Sequence, residues 1–223
     1  MTRADDPHSE NTMIRTLHII RWTSLGLIVL LGLAIVVLEL RPHGQAATDV
    51  AGGTVAVPGG ITLGGPFQLT DDKGRAVTDA DYRGRWMLVF FGYSNCPDEC
   101  PLTLQKMAGA LSRLGPFADK MAPIFITVDP ARDTPERLKT YLASFDPRIT
   151  GLTGSDARIA AAAKAYRVFY APGKHEESGA DLVNHSTFLY LMDPAGKFSA
   201  LLASDIDANR LAGALGAKLK VTR

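Results

Sequence analysis

Cys96 and Cys100 are the only two thiols in the 223-residue chain, and they share one short segment, Cys96-Pro97-Asp98-Glu99-Cys100-Pro101. Residues four apart lie on one face of a helical turn with Cα atoms about 6 Å apart, so the two sulfurs can meet even if the segment is helical. Pro97 and Pro101 disfavour helix at the residue before each, which predicts a stiff loop carrying both sulfurs. The spacing admits three chemistries: a structural disulfide, a dithiol that exchanges with a partner, or two soft ligands for a metal. A disulfide closing so small a ring would stabilise the fold by about 2 kcal/mol or less. A helix N-terminus following the pair favours thiolate, which is both the nucleophile and the metal-binding form. Asp98 and Glu99 between the cysteines oppose thiolate, and a cation site tolerates them better than fast thiol exchange does.

The pair needs elements to position it. Arg85–Tyr93, RWMLVFFGY, is a continuous apolar and aromatic run, the pattern of a parallel strand buried on both faces. Pro101–Leu114 carries Leu104, Met107, Leu111 and Leu114 at helical spacing. Ala122–Asp129 reads as a second buried strand. Thr134 caps a helix with Pro135 at its first position, and Ser155 caps another running to Phe169. Phe67–Thr78 reads as a hairpin around Asp72-Lys73-Gly74. A second hairpin folds about Pro194–Lys197, and Asp207–Leu219 closes the chain as a helix. Strands alternating with helices predict an α/β fold. The cysteines then fall just past the C-terminal end of a central strand, where such sheets place their sites, and a cysteine pair there is a thioredoxin-like arrangement.

A metal would need further ligands. His8 and His18 precede or enter an apolar segment, His43 lies in a small-residue stretch, and His175 sits in a polar run read as a surface loop. His185 differs, because it immediately precedes the strand-like Thr187–Asp193 and so falls near the cysteine loop in a thioredoxin-like sheet. A histidine beside a strand also commonly serves only as a hydrogen-bonded structural residue. As a ligand it would complete a soft set of two thiolates and one imidazole, suited to Cu(I) and able to hold Cu(II). Zinc would call for a fourth ligand or a water.

The remaining sequence sets the compartment. No charged residue occurs from Trp22 to Leu38, and 17 residues of helix rise about 26 Å, close to a hydrocarbon core of about 30 Å. Residues 22–40 are expected to form a transmembrane anchor, with a cleaved signal peptide ending near His43–Ala47 as the alternative. Arg3, Arg15 and Arg21 precede the span and only Arg41 closely follows it, which puts residues 1–21 in the cytoplasm. Residues 41–65, rich in Gly and small side chains, read as a flexible tether, and 66–223 as the folded domain. With 24 basic and 23 acidic residues the chain has no nucleic-acid footprint. A bacterial inner membrane with a periplasmic domain fits best, and in that oxidising space a dithiol stays reduced only if it is metallated or actively reduced.

Four motifs in order, Gly64–Leu69 (GGPFQL), Phe90–Pro101 (FFGYSNCPDECP), Thr127–Pro135 (TVDPARDTP) and Asn184–Pro194 (NHSTFLYLMDP), resemble the SCO (SenC/PrrC) proteins, membrane-anchored copper chaperones of cytochrome c oxidase assembly. The resemblance runs from Gly64 to Leu219. It implies a thioredoxin-like fold with an added hairpin and copper held by Cys96, Cys100 and His185. It implies delivery of that copper to the CuA site of cytochrome c oxidase subunit II, or reduction of that site's cysteines. Expected partners are that subunit and other periplasmic copper chaperones or thiol reductants. A redox or copper sensor is a further alternative. Asp129 and Asp133 match a family motif but are not expected to be ligands; Asp133 reads as an aid to starting the helix at Thr134. Asn184 stands where the family often has an acid, and Glu99 where an apolar residue is common.

Overall fold

The structure is a computed structural model that describes residues 22, 26, 31, 32, 53–55, 57, 62–175, 181–185 and 187–221, with 171–175, 181–185 and 221 described by backbone only. The chain divides into two units, 1–47 and 48–223. In the first, Trp22, Gly26, Leu31 and Gly32 are helical, and Trp22 and Leu31 are exposed. The rest of the predicted span 22–40 lies outside the described residues. Among the described residues no helix is long and apolar enough to cross a membrane.

In the second unit, the described strands form an eight-stranded sheet. They are β1 (Thr54–Val55), β2 (Gln68–Asp71), β3 (Ala76–Thr78), β4 (Trp86–Gly92), β5 (Met121–Thr127), β6 (Thr150–Thr153), β9 (Phe188–Met192) and β10 (Phe198–Ala203), in the order β1-β10-β9-β4-β5-β6-β2-β3. β4, β5 and β6 run parallel, and the other pairings are antiparallel. Strands β7 (Tyr170–His175) and β8 (Asp181–His185) form a separate two-stranded sheet. The helices are α1 (Glu99–Leu114), α2 (Pro135–Leu142), α3 (Asp156–Ala165) and α4 (Ala208–Val221). This is the expected α/β, thioredoxin-like architecture with an added hairpin.

The central strands follow from their composition. Every residue of β4 and β5 is buried, as a continuous apolar run requires when both sheet faces are covered. Successive side chains of β4 alternate faces. Phe91 meets Tyr166 and Tyr190 at 5.3 and 6.0 Å between ring centroids, while Phe90 meets Phe125 at 5.9 Å. The predicted caps are present: the Thr134 and Ser155 hydroxyls accept from the backbone N–H groups of Arg137 and Arg158.

Four sequence expectations change. Strand β6 was not anticipated, since four residues, TGLT, are too few to show a period. Gly151 admits it: a Cβ there would lie 2.9 Å from Leu138 Cβ and 2.8 Å from Leu142 Cδ1, so only glycine lets α2 pack this closely. The polar run around His175 was expected to be a loop, yet most of it forms the β7–β8 hairpin, because backbone pairing there proceeds without an apolar alternation. α3 stops at Ala165 rather than reaching Phe169; Arg167 turns left-handed at φ 53° and Val168 N–H bonds back to Ala163 O at 2.8 Å. The stretch 41–65, read as tether, supplies β1, which pairs with β10, and the buried Leu63.

Candidate metal centre

β4 delivers the cysteine loop. It ends at Gly92, and Cys96 N–H then bonds Tyr93 O at 3.3 Å, turning the chain toward α1. The loop is shorter than expected: α1 begins at Glu99, so Cys100 is its second helical residue. Pro101 tolerates this because the first four N–H groups of a helix have no intrahelical partner, and its missing donor costs nothing there. The backbone N–H of Cys100 points at Cys96 Sγ, 3.4 Å away. Cys96 itself lies three residues before α1, and the loop folds its sulfur back against the helix N-terminus beside Cys100, with no disulfide joining them.

The two sulfurs are not equivalent. Cys96 is partly exposed and Cys100 fully buried. Cys100 Sγ nests against the α-carbon of Gly92: a Cβ on Gly92 would lie 2.8 Å from that sulfur and 2.8 Å from Phe125 Cε2. Gly92→Ala is therefore expected to cost about 1–3 kcal/mol in unfolding free energy by overpacking. It should also dislodge the sulfur, so alkylation of Cys100 accelerates relative to wild type. An unchanged labelling rate would show that the contact does not hold the thiol in place.

Electrostatics sharpen the asymmetry. Its hydrogen bond with Cys96 and its burial push the Cys100 thiol well above the ordinary cysteine range, and charge on Cys96 and Asp133 adds to the rise. This reverses, for Cys100, the expectation that the helix N-terminus would favour thiolate; a buried proton shared with a second sulfur outweighs the helix end. The carboxylate that contributes is Asp133. Asp98 and Glu99 are exposed to solvent, which screens them.

Asp133 is the residue whose role the sequence missed. It does not start the helix, since Thr134 is the cap. Its carboxylate is fully buried. Oδ2 accepts from the Ser94 backbone N–H at 3.0 Å and from the Thr127 hydroxyl at 2.6 Å, while Oδ1 accepts from the Ser94 hydroxyl. Arg137 completes the cluster, donating from Nε to Ser94 Oγ at 2.8 Å and lying 3.7 Å from Asp133 Oδ1. The ends of β4 and β5 are thereby tied together two residues before Cys96. Asp129 instead pairs with Arg132 at 2.5 Å. A motif with two acids just past a β-strand end was a visible signal, but nothing in it indicated Ser94 as the target.

Of the three predicted ligands, the structure brings Cys96 and Cys100 together. His185 is placed by its backbone at the end of β8, with its Cα opposite Tyr170; its side chain lies outside the described residues. Among the described residues, no group of three His, Cys, Asp or Glu side chains is gathered as a metal site would require. The described donor set is two adjacent thiols, one of them open to solvent, which suits a soft cation.

Comparison with known proteins agrees with this architecture. The SCO1/SenC family model matches residues 56–220. A mitochondrial SCO1 homologue of Mus musculus is 40% identical over 160 residues, covering 71% of this chain and 56% of the mouse protein. The chain spans about half the length of the curated relatives it matches. Among solved structures, Bradyrhizobium japonicum ScoI with copper bound shares 42% identity at a TM-score of 0.65, over 72% of this chain and 99% of that one. Yeast Sco1 with copper bound shares 40% identity at a TM-score of 0.67, over 73% of this chain and 91% of that one.

Proposed function

Because the chain belongs to the SCO1/SenC family, we propose that it is a copper metallochaperone. Cys96, Cys100 and His185 would hold the ion, and its acceptor would be the CuA site of cytochrome c oxidase subunit II. The observation that carries this reading is the pair of thiols brought together at the N-terminus of α1, with Cys100 N 3.4 Å from Cys96 Sγ. Two relatives at 40% and 42% identity are solved with copper bound, and thiolate with imidazole suits both Cu(I) and Cu(II). Transfer would proceed by ligand exchange: an incoming thiolate of the acceptor displaces the exposed Cys96 first, and the buried Cys100 lets go last. Residues 22–40 would anchor the domain on the periplasmic face of a bacterial inner membrane, keeping it beside a membrane-bound client.

His185→Ala tests the ligand set. Cu(I) affinity, measured by competition with a chromophoric chelator, is expected to fall more than about a hundredfold, as loss of one of three ligands should exceed the 10–100-fold cost typical of an outer-sphere change. Unchanged affinity and stoichiometry would remove His185 from the site. The unequal exposure of the two thiols also favours a second reading, a thiol-disulfide oxidoreductase acting on the CuA cysteines. In that case reduction of an oxidised CuA domain survives His185→Ala and is lost in Cys96→Ala.

A further inference from the structure

Tyr141 lies one turn beyond Arg137 on α2. Residues four apart share a helix face, and Arg137 Nε already reaches the cysteine loop at Ser94 Oγ, 2.8 Å away. The Tyr141 ring packs against Phe125 at 6.1 Å and Phe145 at 5.2 Å between centroids. Phe125 is the ring that shares the space over Gly92 with Cys100 Sγ. Tyr141 therefore sits one aromatic ring away from the buried sulfur. Its hydroxyl oxygen is buried, and among the described residues it has no hydrogen-bond partner.

A buried hydroxyl without a partner costs stability that phenylalanine, of the same shape, would not. Burial pushes the phenol well above its ordinary range, and charge on Cys100, Cys96 and Asp133 pushes it further. The group thus keeps its proton and remains a donor. A neutral thiol is a weak acceptor, whereas a thiolate is a strong one.

We propose that the Tyr141 hydroxyl is a positioning donor for the Cys100 sulfur, forming its hydrogen bond when that sulfur holds copper as a thiolate and leaving it unmade in the copper-free dithiol. The inference rests on the copper reading above. Such a bond withdraws charge from the sulfur and fixes its direction, so it should both tighten the site and shift its electronic spectrum.

The test is Tyr141→Phe in the full chain, purified in detergent beside wild type. Three quantities are measured: thermal unfolding without copper, Cu(I) affinity by chelator competition, and the sulfur-to-copper charge-transfer band of the Cu(II) form. The expected result has opposite signs in the two states. The copper-free variant unfolds no earlier than wild type, while copper affinity falls about tenfold and the charge-transfer band moves to longer wavelength. Affinity and band both equal to wild type would overturn the inference while leaving the copper reading intact. A copper-free variant that unfolds earlier, with unshifted band, would also overturn it, since that marks a packing role alone. A wild type that takes up no copper overturns the copper reading and this inference together.

Discussion

Asp133→Ala should lower the stability of the folded unit by about 3 kcal/mol, which for a domain of this size is an unfolding midpoint about 6–12 °C lower. The residue is fully buried, and the substitution orphans the Ser94 N–H, the Ser94 hydroxyl and the Thr127 hydroxyl at once. Hydrogen bonds to a charged acceptor contribute about 1.5–3 kcal/mol each, and partners stranded in a buried site keep their desolvation cost. Arg137, half exposed, turns to solvent and recovers part of the loss. Asp133→Asn should be milder, about 1 kcal/mol, because one amide oxygen still accepts from Ser94 N–H and Thr127. The functional consequence exceeds the stability one. Ser94 is two residues before Cys96, so releasing it frees the loop, and Cu(I) affinity should fall at least about tenfold even at temperatures where the variant is folded. Denaturant unfolding and chelator competition on the same samples separate the two effects. A variant that loses stability but binds copper like wild type would confine Asp133 to the fold.

How much of this was legible depended on whether the cause was local. β4 and β5 were read from their unbroken apolar runs, and Thr134 and Ser155 were read as caps because a cap is a property of one residue and the next three. The Pro194–Lys197 turn was equally local, with Gly196 at φ 77° where a side chain would be strained. The cysteine pair pointed to its own site, since i, i+4 spacing at a strand's end needs no tertiary information. Asp133 was different: its main partner is 39 positions away, so only the parallel pairing of β4 with β5 could reveal what the carboxylate touches. Gly92 gave a fainter signal, a glycine closing a run of bulky residues, which marks a close approach without saying of what. β6 was too short for periodicity, and β7–β8 hid in a polar run because its residues do not alternate apolar with polar. Tyr141 sat at an ordinary helical core position, and its orphan hydroxyl becomes visible only when every neighbour has been placed.

The unequal burial of the two thiols predicts that Cys96→Ser and Cys100→Ser will behave as different proteins. Cys96 is partly exposed and Cys100 is wholly enclosed, with its thiol pushed far up by its bond to Cys96 and by burial. Cys96 is therefore the sulfur that meets a partner first, since Cys100 is enclosed and holds its proton. In thiol exchange its thiolate would attack one sulfur of a partner's disulfide, forming a mixed disulfide and releasing the other partner sulfur as thiolate. Cys100, losing its proton, would then attack Cys96 Sγ; the intramolecular disulfide forms, the partner leaves fully reduced, and two electrons have passed to it. Cys100→Ser stops this sequence at the mixed disulfide, so a covalent adduct with an oxidised CuA domain should accumulate on a non-reducing gel. Cys96→Ser leaves only the enclosed thiol, and no adduct should form. Alkylation in wild type should modify Cys96 at least about a hundredfold faster than Cys100, because Cys100 is enclosed and holds its proton. Copper binding draws no such distinction: either substitution removes one of two adjacent thiolates, and Cu(I) affinity should fall by three orders of magnitude or more, on the order of 4 kcal/mol. Equal loss of copper from both variants, with an adduct from only one, is the pattern of a site built to hold an ion from inside and release it from outside. Equal alkylation of both cysteines would instead mean that the enclosed thiol opens freely to solvent, and the order of ligand release would no longer follow from burial.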